Sequence, residues 1–378
     1  MRLASLVLCA SALAACNAGD AQGSRDRATS PSGARPFVVQ ELAAFNEPWA
    51  MTFLPGGEAL ITEKGGRLVL WSPGISVRAV AGVPRVAYAG QGGLGDVVLH
   101  PEYGDNKLVY LSWVEAGSGG TSGAVVGRAR LETSPQGARV GAMQVIWRQS
   151  PKVSGSGHFG HRMAFSPNGQ FLFITSSDRQ KFTPAQDMGA NLGKVVRLSQ
   201  AGGIPSDNPF HGRGAVTSQI WSLGHRNPLG IAFAPNGDLW THEMGPRGGD
   251  EMNRIERGAN YGYPIVSNGN HYDGRNIPDH STRPEYNAPE LSWTPVISPA
   301  GLIFYSGNQF RDWRGDAFMG GLSGQALLRI EVDGGRARVA DRWDMGARIR
   351  EVEQGPDGAI YLLEDGARGR LLKLTPAR

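Results

Sequence analysis

One short pattern recurs along this chain and limits the folds open to it: an apolar strand end, a Pro-x-Gly turn and a second apolar strand. Copies of the pattern lie at residues 53–63, 165–175, 233–241 and 354–363, with looser copies at 99–111 and 304–319. Glycine supplies the positive backbone angles that such tight turns need. A small β unit repeated along the chain predicts an all-β fold, namely a six-bladed β-propeller of four-stranded antiparallel blades.

The composition is typical of many short strands joined by turns. Glycine accounts for 54 of the 378 residues, about twice its usual share, and charged residues make up only 19%. A β-sandwich with coincidental turns is the alternative fold. The net charge of +4 is small for this length, so we expect no nucleic-acid partner.

The first residues have the layout of an export signal. Arg2 precedes an apolar run from Leu3 to Ala15, which is too short to span a bilayer. The run ends in the string LAAC, which resembles the bacterial lipobox. That resemblance implies cleavage before Cys16 and attachment of lipid to it, whereas an ordinary signal peptide would be cleaved with Cys16 incidental.

We therefore predict a lipoprotein signal peptide at residues 1–15, a flexible tether at 16–36 and the propeller at 37–378. The tether is rich in Gly, Ser, Ala, Asp and Arg and has almost no apolar residues. This layout predicts an exported protein on the periplasmic face, held on the outer membrane only through Cys16.

Two glycine-rich clusters contain side chains suited to proton transfer or ligand contact. The string GHFGHR contains His158 and His161, and a neutral imidazole near pH 7 can act as a general base. Structural or surface histidines are the alternative. The string GQGGLGD contains Gln91 and is not followed by a helical pattern, which excludes a phosphate-binding loop. It is either a tight turn or a close approach of backbone to a flat ligand.

Two pairs of residues point to an anionic ligand. Arg226 and Asn227, in the string GHRNP, could pair with a carboxylate and donate to a carbonyl. Arg348 and Arg350 alternate along a strand and share one face. Adjacent cations repel, so an anion that binds both would make the pair tolerable. Solvated surface arginines are the alternative for each pair.

A further cluster combines acidic side chains with glycine and proline between residues 243 and 251, and continues into NYGYP at 260–264. Calcium binds carboxylate and backbone carbonyl oxygens in flexible geometry, so this region could hold that ion. It does not match the EF-hand loop, and a plain acidic turn is the alternative.

In combination, the strings GQGGL, GHFGHR, GHRNP, HEMGPRGGDE, NYGYP and RIREV are specific. The chain resembles the soluble aldose sugar dehydrogenases that depend on pyrroloquinoline quinone (PQQ), the glucose/sorbosone dehydrogenase family. The likeness runs from about Phe37 to Leu374. It implies that residues 37–378 are a catalytic domain that oxidises aldoses to lactones with PQQ and Ca²⁺, passing electrons to an external acceptor such as a cytochrome or a quinone.

The resemblance also implies roles for single residues. His158 is the general base that takes the anomeric hydroxyl proton, and Arg226 stabilises negative charge on the reduced cofactor. The residues implied in cofactor or substrate binding are Gln91, Arg226, Asn227, Trp293, Arg348 and Arg350. The residues implied in calcium binding are Gly245, Pro246, Glu251 and Tyr261.

Departures from the family pattern at Gly157, Arg179 and Ser323 put the substrate preference in doubt, because these positions touch sugar or PQQ in some members. A propeller lactonase and a non-catalytic binding module are the rival functions. The first would need side-chain carboxylate and Asn ligands converging on calcium, and the second would leave His158 and the arginine pair without a role.

Overall fold

The computed structural model describes residues 35–134 and 137–377, so the signal peptide, Cys16 and most of the tether lie outside the described residues. No helix in these ranges is long and apolar enough to cross a membrane. The helical segments are α1 (Tyr103–Asn106) and 3₁₀ turns at Ser118–Gly120, Thr183–Ala185, Thr217–Gln219, His280–Thr282 and Arg311–Trp313.

The first half of the chain forms one outlying strand and two groups of strands. The strand that comes first is β1 (Phe37–Phe45). The first group is β2 (Pro48–Phe53), β3 (Ala59–Glu63), β4 (Arg67–Ser72) and β5 (Ser76–Ala81). The second is β6 (Leu94–Leu99), β7 (Leu108–Ala116), β8 (Ser122–Ser134), β9 (Gly137–Val140) and β10 (Gln144–Arg148). Strand β9 pairs with β8 and, in parallel, with β5, so both groups belong to one nine-stranded sheet.

The remaining strands form four-stranded sheets. The next sheet is β11 (Gly160–Phe165), β12 (Phe171–Ser176), β13 (Lys194–Ser199) and β14 (Ile220–Leu223). It is followed by β15 (Pro228–Phe233), β16 (Leu239–Glu243), β17 (Asp250–Ile255) and β18 (Leu291–Trp293). Then come β19 (Pro299–Phe304), β20 (Ala317–Gly321), β21 (Ala326–Asp333) and β22 (Arg336–Asp344). The last strands are β23 (Ile349–Gln354), β24 (Ile360–Glu364) and β25 (Gly369–Pro376), and β25 pairs with β1.

The predicted hairpins are confirmed, and each joins the first strand of a group to the second. The paired strands are β2–β3, β6–β7, β11–β12, β15–β16, β19–β20 and β23–β24. In the clear copies the turn closes in the same way: Gly57 N donates to Leu54 O at 2.9 Å, and Gly237 N donates to Ala234 O at 2.9 Å. Both glycines have φ near +90°, which explains why the pattern requires glycine there.

In the described residues, the first strands of successive groups contact one another in a closed ring, which runs from β2 through β6, β11, β15, β19 and β23 back to β2. The all-β prediction is confirmed, and the sheets are arranged as a propeller. Four of the five described sheets are four-stranded and antiparallel as predicted, whereas parallel pairing of β5 with β9 joins the remaining strands into one nine-stranded sheet. The last group takes β1 from the start of the described chain and β25 from its end. Strand pairing between the two ends of the chain therefore closes the ring.

Every first strand begins with an irregularity. Its pairing with the second strand shifts by a residue at Pro48/Ala50, Leu94/Val97, Gly160/Met163, Pro228/Gly230, Ala300/Leu302 and Ile349/Glu351. Such bulges increase the local twist and re-aim side chains. They place irregular backbone at the end of the axis where the predicted site residues lie, while the regular hairpins lie at the other end.

A buried guanidinium lies on the propeller axis. Arg162 of β11 is 5% exposed and donates to Asp96 at 3.3 Å and to the carboxylate of Glu351. It also stacks on Trp49, with 4.0 Å between the guanidinium carbon and the ring centroid. Burial raises the pKa of Glu351 to about 7 even though Arg162 opposes that shift. This cluster joins strands β2, β6, β11 and β23 through charge, hydrogen bonds and stacking.

Replacing Arg162 by methionine should keep most of the volume but leave Asp96 and Glu351 buried without a cation. We expect the free energy of unfolding to fall by about 3–5 kcal/mol, measured from urea titrations at unchanged slope. Arg139→Met is the control, because Arg139 and Glu132 form an exposed pair at 3.9 Å, for which about 0–1 kcal/mol is expected. Equal losses in the two variants would contradict a stabilising role of the axial cluster.

Candidate active site

Several of the predicted site residues lie just before the starts of first strands. Gln91 precedes β6, His158 precedes β11, Arg226 precedes β15 and Arg348 precedes β23. Because the first strands form a ring and all start at the same end, residues far apart in sequence meet there. The hairpin repeat also gives these residues equivalent positions, since His158 and Arg226 both lie seven residues before the phenylalanine that ends the following first strand.

An axial cavity of about 400 Å³ lies at this end of the propeller. Its polar wall contains Gln91, Arg348 and Arg350, so the structure brings these three predicted residues together. The residues that line it are Glu47, Trp49, Lys64, Gly90, Gln91, Phe159, Gly160, His161, Leu229, Met244, Ser298, Leu322, Arg348, Arg350, Asp365 and Gly366. The mixture of arginines with broad apolar side chains suits a flat anionic ligand.

His158 lies beside this wall in a fixed orientation. Its Nδ1 is 2.8 Å from Oδ1 of Asp178, which is fully buried. A carboxylate only accepts hydrogen bonds, so Nδ1 carries the proton and Nε2 is left to accept one. The backbone N–H of His158 donates to Oε1 of Gln91 at 2.7 Å, so Gln91 also holds the histidine loop. This His–Asp pair has the arrangement of an oriented general base.

His161, the other candidate base, has a different environment. Its Nδ1 is 2.7 Å from the Ser112 hydroxyl, and its ring stacks on Trp49 at 5.1 Å. Burial and the nearby charge of Arg162 lower its pKa to about 3. Among the described residues no carboxylate orients this ring, and the geometry therefore favours His158 as the base.

The arginine pair already has a counter-ion within the chain. Arg348 Nε donates to Asp365 Oδ2 at 2.8 Å, and Arg350 donates to Asp365 Oδ1 through Nε at 3.0 Å and through its terminal nitrogen at 2.8 Å. Against the effect of burial, the two arginines hold the pKa of Asp365 below its usual range. Asp365 therefore makes the adjacent cations tolerable without a bound anion. The sequence analysis had assigned that role to a ligand.

Arg226 and Asn227 lie on the neighbouring loop. Arg226 donates to the backbone carbonyls of Met244 at 2.9 Å and Gly245 at 2.5 Å. Asn227 is fully buried and accepts from the Ser177 hydroxyl at 2.9 Å, while its Nδ2 has no partner in the described structure. A buried donor without a partner is costly and marks a place where a ligand oxygen could bind.

All four predicted calcium residues, Gly245, Pro246, Glu251 and Tyr261, line a second cavity of about 10 Å³, together with Glu243. This is the space of one water molecule or ion. Burial and the neighbouring Glu243 raise the pKa of Glu251 well above its usual range. A cation there would relieve that electrostatic cost.

The oxygens available to such a cation are limited. The Gly245 carbonyl already accepts from Arg226, and the Tyr261 hydroxyl donates to Arg254 O at 2.5 Å. The Tyr261 backbone carbonyl lies 3.1 Å from Nε2 of His280. Within residues 35–134 and 137–377, no three His, Cys, Asp or Glu side chains group to hold a metal. The described donors are therefore two carboxylates and backbone carbonyls.

Trp293 is not brought into the axial cavity. It is the last residue of the outer strand β18, pairs with Asp250 and packs on the apolar core between the fourth and fifth groups of strands. Arg179 also stays out of the cavity wall, because its side chain is only 1% exposed.

The sequence analysis missed Asp178 and Asp365 as functional side chains, and it placed Glu243 only in the acidic cluster of a possible calcium site. Each follows or ends a second strand, and each contacts the loop before a first strand: Asp178 holds His158, Asp365 holds the arginine pair, and Glu243 accepts from the backbone N–H of Arg226. An acidic residue at the end of a second strand was the available signal, since hairpin pairing brings that end beside the start of the first strand.

Comparison with known proteins identifies the class of this chain. It belongs to the glucose/sorbosone dehydrogenase family, whose profile matches residues 45–373. The resemblance inferred from the short strings is thereby confirmed.

Relatives of this chain include sugar dehydrogenases of known structure. This chain is 39% identical to the aldose sugar dehydrogenase YliI of Escherichia coli (strain K12), over 92% of its own length and 94% of that protein. The apo crystal structure of the soluble aldose sugar dehydrogenase from Escherichia coli is 38% identical, covers 90% of this chain and 100% of its own, and has a TM-score of 0.84. The PQQ-bound aldose sugar dehydrogenase of Streptomyces coelicolor is 26% identical over 92% of this chain and 99% of its own, with a TM-score of 0.74.

Proposed function

We propose that this protein oxidises aldose sugars at the anomeric carbon to lactones, using PQQ and Ca²⁺. The observation that carries the proposal is the His158–Asp178 pair beside an arginine-lined axial cavity. Its relatives named as aldose sugar dehydrogenases, and the PQQ-bound neighbour structure, support the assignment. Electrons would leave to an external acceptor such as a cytochrome or a quinone.

The residues of the axial cavity fit PQQ, a flat molecule with three carboxylates. Arg348 and Arg350 exceed the single charge of Asp365, so the pair retains a net positive charge for a ligand carboxylate. Gln91 lies in the same wall, and Asn227 offers a buried unpaired Nδ2 nearby. When bound, PQQ would supply the hydride acceptor.

His158 would perform the acid–base part of the reaction. Asp178 fixes Nδ1 as the protonated nitrogen, so Nε2 can remove the proton of the anomeric hydroxyl. Asp178 then stabilises the positive charge that develops on the ring, as an orienting carboxylate does for other catalytic histidines. Arg226 would place positive charge near the oxygen that becomes negative.

The small acidic cavity fits a calcium ion. Glu243 and Glu251 supply two buried carboxylates, and Gly245, Pro246 and Tyr261 supply backbone carbonyls. Because Arg226 donates to the Gly245 carbonyl, binding there would couple the ion to the arginine at the active site.

We also propose that the closed ring of first strands makes this a six-bladed propeller, with the catalytic domain at residues 37–378. Residues 1–15 and 16–36 would be the signal peptide and tether of an exported lipoprotein. Neither a nucleic acid nor a membrane-spanning segment has a place in this proposal, and the only membrane attachment would be lipid at Cys16.

Purified protein supplied with PQQ and Ca²⁺ should reduce a redox dye when an aldose is added, and each component should be required. His158→Ala should lower kcat at least about a hundredfold, because it removes the imidazole that takes the proton. A second His–carboxylate pair, His225–Glu243, cannot replace it, because His225 is fully buried and its Nε2 is bonded to Ser222. Asp178→Asn should lower it by about the same factor, because an amide no longer fixes the ring tautomer. Initial rates and titration of PQQ into the apo-protein measure both effects.

Asp273→Asn is the matched control, since Asp273 forms an exposed pair with Arg275. Its kcat should equal that of the unchanged protein. Full turnover by Asp178→Asn would contradict the role of the His–Asp pair, and lactone hydrolysis without PQQ would favour the lactonase alternative.

Calcium at about a hundred times its Kd should add about 2.7 kcal/mol to the free energy of unfolding and raise Tm by several degrees. Glu251→Gln should abolish that rise. The metal-free variant should nevertheless be at least as stable as the metal-free parent, because repulsion from Glu243 is removed. Differential scanning calorimetry with EGTA and Ca²⁺ measures both.

Glu285→Gln is the matched control, because Glu285 is exposed, and calcium should raise its Tm as much as that of the parent. An unchanged calcium response in Glu251→Gln would exclude this cavity.

Fractionation of cells tests the proposed anchor. Cys16→Ala should move the protein from the outer-membrane fraction to a soluble fraction or leave its precursor unprocessed, because no lipid can be attached. Cys9→Ala, within the predicted signal peptide, is the matched control and should remain in the outer membrane. Membrane retention of a processed Cys16→Ala protein would contradict the lipoprotein proposal.

A further inference from the structure

Arg179, the residue after Asp178, is bonded to the backbone of the loop that carries His158. Its Nε donates to Gly157 O at 2.9 Å, and its terminal nitrogens donate to Gly155 O at 2.5 Å and Ser122 O at 2.6 Å. Its guanidinium carbon lies 3.8 Å from the ring centroid of Phe159, which lines the axial cavity. The side chain thus contacts the residues on both sides of His158.

The backbone that Arg179 contacts is in a conformation that needs support. His158 has φ of +48°, and Arg179 itself has φ of +57°, values that side-chain-bearing residues seldom adopt. Each such residue costs on the order of 1 kcal/mol and persists where its surroundings hold it in place. A Cβ at Gly157 would lie 2.6 Å from the end of the Gln180 side chain, which would have to move to admit it.

A buried guanidinium is expensive, and Arg179 has no carboxylate within ion-pair distance in the described structure. Burial lowers its pKa to about 10, against the weaker opposing effect of Asp178. A residue chosen for stability alone would be apolar at such a position. The three carbonyl partners indicate that the planar, fork-shaped arrangement of donors is what this position requires.

We propose that Arg179 is a positioning residue for the reaction: it holds the backbone of the His158 loop, while Asp178 holds the imidazole ring. The two consecutive residues thereby fix the base at two points. Displacing a base by about 1 Å can reduce turnover about a hundredfold, so the loop must be held as firmly as the ring. This inference rests on the proposed function.

Arg179→Met removes the hydrogen bonds and keeps most of the volume. The matched control is Arg197→Met, because Arg197 is another buried arginine, on the strand that follows the Arg179 loop. It stacks on Phe171 at 3.7 Å and pairs with Asp207, away from the axial cavity. Hydrogen exchange of the apo-protein, followed by mass spectrometry, should show faster exchange at residues 155–159 in Arg179→Met. Arg197→Met should leave that segment unchanged.

Turnover per PQQ-loaded site gives the second measurement. Arg179→Met should lower kcat about 10- to 100-fold with little change in the Kd for PQQ, and the deuterium isotope effect with 1-²H-glucose should be fully expressed. Arg197→Met should retain the parent's kcat per loaded site, even with a lower Tm. An unchanged kcat or unchanged exchange in Arg179→Met would overturn the positioning role and leave the proposed function intact. A parent protein inactive with PQQ, Ca²⁺ and glucose would overturn the function itself, while the exchange result would still report on the loop.

Discussion

The ion cluster around Arg162 is the interaction on which the rest of the propeller depends. The first strands converge on the propeller axis, and the side chains buried there include the charged groups of Arg162, Asp96 and Glu351. One guanidinium joins Asp96, Glu351 and the ring of Trp49, which belong to separate groups of strands. Because all these groups are buried, losing one partner leaves the others uncompensated, and the arrangement is held to one geometry.

The active site lies next to that cluster, and its side chains are likewise held in one geometry by buried partners. Carboxylates at the ends of second strands restrain the functional side chains. Asp178 restrains His158, Asp365 restrains the arginine pair, and Glu243 restrains the Arg226 loop. Hairpin pairing brings the end of each second strand beside the start of its first strand, so the repeat that builds the sheets also supplies the supports of the site.

The two cavities at this end differ in charge. The axial cavity retains positive charge from Arg348 and Arg350 after Asp365 is counted, whereas the smaller cavity is lined by two carboxylates, Glu243 and Glu251, against one cation, Arg226. Arg226 connects them, because it donates to carbonyls of the loop around the acidic cavity. An anionic cofactor and a divalent cation would satisfy both cavities at once, which is the physical basis of the proposed chemistry.

The sequence by itself determined the β-hairpin repeat, since a Pro-x-Gly turn between apolar strands is a local signal with a local cause. The short strings around His158 and Arg348 identified the family in the same way. Only the tertiary structure decided which distant residues meet. Nothing in the sequence near Arg348 indicates that Asp365 neutralises part of its charge. The sequence likewise does not indicate that the Arg179 side chain is buried or that Trp293 lies at the end of an outer strand. Such partnerships arise from ring closure and strand register, which depend on contacts across the whole chain.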